Sequence, residues 1–133
     1  MVKKILKTYY GITFSFAFSM SFFFGIYVIF LMDAGLNLME VNLVNCAFML
    51  SCFLLEIPTG SIADNHGRKN SFIAACFIFA ASMLTYYLSH TFIMFVVAEI
   101  IAALAMTLYS GAFESWIIDS VKYYNEDYDM SKV

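Results

Sequence analysis

Residues able to do chemistry are few in this chain, because only 13% of its 133 residues are charged, about half the share of an ordinary soluble domain. One group draws a line. Glu99, Ala103, Thr107, Ser110 and Glu114 recur at steps of four, four, three and four, which on an α-helix makes a single polar stripe. A carboxyl within a membrane span costs roughly 2.5–3.5 kcal/mol to insert at mid-bilayer, so each such acid is a candidate for function. Glu99 would lie about 12 Å along a helix that starts near Thr91, at 1.5 Å per residue. There it could stay protonated, bind a cation or exchange protons as a solute passes. Equally, it could face a water-filled vestibule or hydrogen-bond another helix, and Glu114, nearer the other boundary, has the same two readings.

A second line runs through Asn42, Asn45, Met49, Cys52 and Glu56, again at steps of three and four. These residues share one helical face, expected to look inward rather than into lipid. That face either lines a path or hydrogen-bonds neighbouring helices. The densest polar stretch is Glu56-Ile-Pro-Thr-Gly-Ser-Ile-Ala-Asp-Asn-His-Gly-Arg-Lys-Asn70, which holds the only proline and two of the six glycines. Within it Asp64 precedes Arg68 by four, so a helical turn would set acid and base side by side. Gly60 removes a side chain where another helix could approach, and Gly67 can take a left-handed conformation to turn the chain.

Catalytic constellations are missing. Neither His66 nor His90 lies near a nucleophile in sequence, and the chain has no phosphate-binding glycine loop and no His/Cys ligand set. The expectation is no enzyme, no cofactor and no metal. Cys46, Cys52 and Cys76 fall inside apolar runs without C-x-x-C spacing and read as small packing residues. A net charge of −3 without a basic cluster excludes nucleic acid as a partner.

The elements that must position these residues are membrane spans. Hydrophobic residues make up 62% of the chain, with 15 Phe, 9 Tyr and 9 Met, more apolar surface than so short a soluble domain could hide. Tyr9 to Met32 contains no charged residue and exceeds the roughly 20 residues needed to cross a bilayer. A signal peptide is excluded by that length and by the lack of a small-residue cleavage site. The pattern predicts an all-α membrane protein of four helices, about 9–32, 38–58, 71–89 and 91–118, with a polar loop at 59–70 and a polar tail at 119–133. Asn37 and Glu40 form a capping-box pair that opens the second helix. Tyr86 and Tyr87 are expected at the headgroup level, His90 in an exposed turn, and Trp116 at the opposite interface. Gly11, Ser15 and Ser19 on helix 1, with Ala102, Met106 and Ser110 on helix 4, predict close helix packing. All seven basic residues, Lys3, Lys4, Lys7, Arg68, Lys69, Lys122 and Lys132, fall on one side of four spans, so both termini are expected in the cytoplasm.

Gly60-x-x-x-Asp64-x-x-Gly67-Arg68-Lys69, between the second and third spans, resembles the signature loop of the major facilitator superfamily. Its flanks, Glu56-Ile-Pro-Thr-Gly60 and Ser110-Gly-Ala-Phe-Glu-Ser-Trp-Ile-Ile-Asp119, resemble a drug-efflux-like branch of these transporters. The resemblance covers essentially the whole chain as helices 1 to 4, part of the N-terminal half of a twelve-helix fold. It implies a gate loop of Gly60, Asp64, Gly67, Arg68 and Lys69. Asp64 would engage the N-terminal end of a helix in the second half, and Arg68 would pair with Asp119. It also implies movement of a small molecule by alternating access across the cytoplasmic membrane, with export expected and the remaining helices supplied beyond this chain. Asn42, Asn45, Glu56, Glu99 and Glu114 are the candidates for the transport path. Proton-coupled members of the family often carry an R-x-x-x-G pattern in helix 4, where this chain has Glu99 and Ala103, so the resemblance leaves ion coupling open. Two rival readings are a complete four-helix exporter acting as a dimer, and a non-transporting membrane subunit or remnant. The first of these depends on an acid within helix 1, which has none.

Overall fold

A computed structural model describes residues 2–124. They form four helices, α1 (Val2–Asp33), α2 (Leu38–His66), α3 (Arg68–Leu88) and α4 (Phe92–Tyr124), each long and apolar enough to cross a membrane. Three tight junctions make successive helices antiparallel, and each is written locally. The α1 end is a Schellman turn. Gly35, at φ +98, donates its N–H to the Met32 carbonyl at 2.9 Å, and Leu36 N–H donates to the Leu31 carbonyl at 3.2 Å. The buried Leu31 and Leu36 side chains belong to one apolar cluster there, the contact that usually accompanies this motif. One residue later Asn37 caps α2. Its side chain accepts from Glu40 N–H at 2.9 Å while the Glu40 carboxylate accepts from Asn37 N–H at 2.8 Å, satisfying two donors that the helix start would otherwise leave orphaned.

α4 is the centre of the bundle, packed along its length against α2 and α3, with α1 applied more loosely. Its buried face is built largely of small residues, among them Ala98, Ala102, Ala103, Ala105 and Ala112, which let backbones approach where lipid offers no hydrophobic drive to association. Two glycines face each other across α2 and α4: a Cβ on Gly111 of α4 would stand 3.7 Å from the Gly60 Cα of α2. Ser82 of α3, fully buried, donates its hydroxyl to the Ala98 carbonyl of α4 at 2.9 Å. α1 meets α4 through ring pairs, with Tyr9–Phe113 centroids 5.1 Å apart and Phe16–Tyr109 4.6 Å apart. Phe14, Phe18 and Phe22 of α1, and Phe53 and Ile57 of α2, lie exposed on the bundle surface; a bilayer solvates such faces.

Several expectations are corrected. Residues 59–70 are not a loop: α2 continues through Pro58 to His66, and Gly67 alone separates it from α3. Polarity marks where a helix leaves the lipid, not where it ends, and the helix persists until a residue adopts non-helical torsions. The Thr59 hydroxyl donates to the carbonyls of Leu55 at 2.7 Å and Glu56 at 3.3 Å, tying together the turn around Pro58. By the same reasoning α1 begins at Val2 rather than near 9, and α4 runs to Tyr124 rather than 118; positions 125–133 of the expected tail lie outside the described residues. Tyr86 is buried in the core rather than at an interface, whereas Tyr87 is exposed. The Gly11, Ser15 and Ser19 stripe does not pack a helix. Those residues line an open groove of about 750 Å³ between α1 and the α3–α4 pair, and Ser15 and Ser19 bond back to the Gly11 and Ser15 carbonyls. Cys46 and Cys76 are exposed rather than packed.

Candidate functional site

Polar chemistry gathers at opposite ends of α4, about 30 Å apart along the helix at 1.5 Å per residue. At one end, Gly67 adopts φ +84, ψ 139, a backbone conformation that glycine alone takes cheaply. This single residue ends α2 and starts α3, so Arg68 becomes the first residue of α3. A cation there opposes the helix dipole, and α4 supplies the compensation. The Arg68 guanidinium pairs with the Asp119 carboxylate and donates to the Ser115 carbonyl one turn earlier on the same helix. Arg68 is 26% exposed and Asp119 64% exposed, and an ion pair this open to solvent contributes only about 0.2–1 kcal/mol. Such a contact is a weak strut, readily made and broken. Asp64 is exposed on the last turn of α2, and Lys69 is exposed on the first turn of α3. Because Gly67 breaks the helix between them, Asp64 and Arg68 do not share the helical turn their spacing offered.

At the other end, Glu99 is buried in α4 at 6% exposure. Tyr27 of α1 donates its hydroxyl to Glu99 Oε1. Tyr86 of α3, also 6% exposed, lies close enough to the same carboxyl to interact with it, yet its buried hydroxyl completes no hydrogen bond. These groups open onto a cavity of about 110 Å³ whose wall also includes Asn45 of α2 and the rings of Phe23, Phe24, Phe48 and Phe79.

Apart from Asn45 at the cavity wall, the remaining candidates join neither cluster. Along the α4 stripe Ala103 and Thr107 are buried, Ser110 is half-buried and Glu114 is exposed, so the stripe begins in the core and winds out of it. On α2 the face packed against the other described helices is Val41, Val44, Thr59 and Ala63, whereas Asn42, Asn45 and Glu56 are exposed on the four-helix bundle. Asn42 is satisfied within its own helix, donating to the Leu38 carbonyl at 2.9 Å, and so needs no neighbouring helix. Sequence reasoning missed Tyr27, Tyr86 and Ser115. The first two share no spacing with Glu99 because they sit on different helices, and Ser115 contributes a carbonyl, which every residue carries. Among the described residues no group of three or more His, Cys, Asp or Glu could hold a metal ion.

Comparison with known proteins points to a transporter rather than an enzyme. Over 100 residues the chain is 28% identical to a protein of Bacillus subtilis (strain 168) named "Uncharacterized MFS-type transporter YxaM", an alignment covering 74% of this chain and 25% of that protein. The chain thus spans about a quarter of that relative's length. No solved structure matches. The sequence model of the Major Facilitator Superfamily matches residues 9–124, nearly all of the four helices just described, and the chain belongs to that superfamily.

Proposed function

We propose that these four helices are part of the N-terminal half of a transporter that exports a small molecule across the cytoplasmic membrane by alternating access. The carrying observation is the Arg68–Asp119 pair, a weak contact held at a junction of one non-helical residue. A short rigid junction transmits any tilt of α3 to the pair, and a pair of small net worth can open without a large barrier. Asp64, exposed at the same end, is the complementary half of the latch and meets the N-terminal end of a helix in the other half of the transporter, where the dipole favours an anion. Lys3, Lys4, Lys7, Arg68, Lys69 and Lys122 all lie at this end of the bundle, which supports its placement in the cytoplasm. The segments that flank this charged stretch, Glu56–Gly60 and Ser110–Asp119, support the drug-efflux-like branch.

A charge swap tests the gate in the complete transporter chain. Arg68→Asp and Asp119→Arg should each lower the transport rate at least tenfold at normal membrane abundance, and the double variant should recover a substantial part of it. Single variants that transport at the wild-type rate would remove the gating role.

A further inference from the structure

α1 and α3 meet over one half of the bundle and part over the other. Toward the Gly35 turn, Phe23 and Tyr27 of α1 each stand with their ring centroid 6.4 Å from that of Tyr86 of α3. Toward the charged end, the open groove of about 750 Å³ runs between the two helices over Ala105, Met106 and Tyr109 of α4. A second hollow of about 340 Å³ shares Ile12 and Phe72 with it and carries it on to Arg68, Lys69 and Trp116. On α1 the groove reaches from Thr8 to Ser19, about 16 Å at 1.5 Å per residue. One leaflet of hydrocarbon is about 15 Å deep, half of a core of about 30 Å. A spanning helix is twice that long, whereas an acyl chain matches the groove from its mouth to its closure at Phe23.

The walls suit hydrocarbon. Phe16 stacks on Tyr109 across the groove floor, and Phe72 and Ile73 of α3 face the hollow at its mouth. The hydroxyls on the α1 side are spent within their own helix. Thr8, Ser15 and Ser19 donate to the carbonyls of Lys4, Gly11 and Ser15 at 3.1, 2.9 and 2.9 Å.

The mouth, in contrast, is basic. Lys69 borders the hollow and is exposed, beside Arg68, which Asp119 engages. On α1, Lys4 and Lys7 precede the groove residues Thr8 and Gly11 by four, the step that keeps residues on one helical face, and both are exposed. Trp116 stands at the same level, an amphipathic ring suited to the headgroup boundary. Positive charge from two helices thus flanks an apolar slot one leaflet deep, and basic pockets between membrane helices attract anionic headgroups.

We propose that this groove binds an anionic phospholipid, with one acyl chain lying between α1 and α3 and the phosphate held at the mouth by Lys69, Lys4 and Lys7. The lipid would sit beside the Arg68–Asp119 pair, but its binding does not depend on the gating role given to that pair.

The test is native mass spectrometry of the complete transporter chain, purified in mild detergent, delipidated, and titrated with an equimolar mixture of phosphatidylglycerol and chain-deuterated phosphatidylcholine. The first phosphatidylglycerol adduct should exceed the phosphatidylcholine adduct about tenfold or more. Lys69→Gln should lower that ratio about fivefold, equivalent to the roughly 1 kcal/mol that one Lys contributes beside anionic lipid. Lys122→Gln removes a charge from the same end of α4 outside the groove and should leave the ratio unchanged. Ser15→Phe fills the slot and should lower retention of both lipids; if it fails to accumulate, the Lys69 and Lys122 variants still decide. Equal adducts of the two lipids, an unchanged ratio in Lys69→Gln, or an equal fall in Lys122→Gln would overturn the proposal. Transport rates of the Arg68 and Asp119 variants judge the transporter reading separately, so a chain without lipid preference that responds to those substitutions loses only the lipid site.

Discussion

Gly67→Ala isolates the junction on which the charged end depends. At φ +84, ψ 139 an alanine is forced into a region that residues with a Cβ rarely occupy, at a cost of about 1–3 kcal/mol. No heavy atom lies within 4 Å of a Cβ placed there, so the penalty is torsional and cannot be relieved by moving a neighbour. Gly60→Ala is the matched control. It sits within α2 with the same open space around its Cβ, and an alanine in a helix interior is worth up to about 1 kcal/mol over glycine. The two substitutions add the same methyl group and should shift stability in opposite directions. Unfolding of the purified protein by titration with a denaturing detergent measures both. Gly67→Ala should lose roughly 1–3 kcal/mol, and it should also lose transport, because relaxation of the junction turns Arg68 away from Asp119. A Gly67→Ala protein as stable as wild type would refute this account of the α2–α3 junction.

Two further perturbations probe the bundle around α4. Ser82→Ala removes a buried hydrogen bond to the Ala98 carbonyl, and the same unfolding titration should show a loss of about 0.6 kcal/mol, the average for such bonds between membrane helices; a loss above 2 kcal/mol would mean the hydroxyl does more than join α3 to α4. Gly111→Ala should be tolerated, since its Cβ would meet the Gly60 Cα at an ordinary 3.7 Å, but Gly111→Leu should separate α2 from α4 and abolish accumulation of folded protein in membranes, as judged by detergent-extracted monodisperse material.

How much of this was legible in the sequence depends on the range of the interaction. The Asn37–Glu40 capping box was readable because its partners are three residues apart, and the Gly67 turn because left-handed torsions select glycine. Four spans were readable from apolar length alone. The ends of those spans were not, because residues 59–66 are polar and helical at once, and composition reports solvent rather than backbone torsion. Tyr86 was placed at an interface for a related reason: an aromatic ring near a helix end suits either a headgroup region or a core, and only the packing of α1 and α4 against α3 puts it in the core.

From sequence alone came the all-helical membrane class, the family resemblance, and the residues of the charged stretch, since each rests on composition or on neighbours along one chain segment. Tertiary structure alone decided which face of α2 packs inward, that Gly60 approaches Gly111, and that Glu99 shares a cavity with Tyr27 and Tyr86. Those relations join different helices, and their geometry follows from how small residues let the helices approach, which no periodicity within a single helix records.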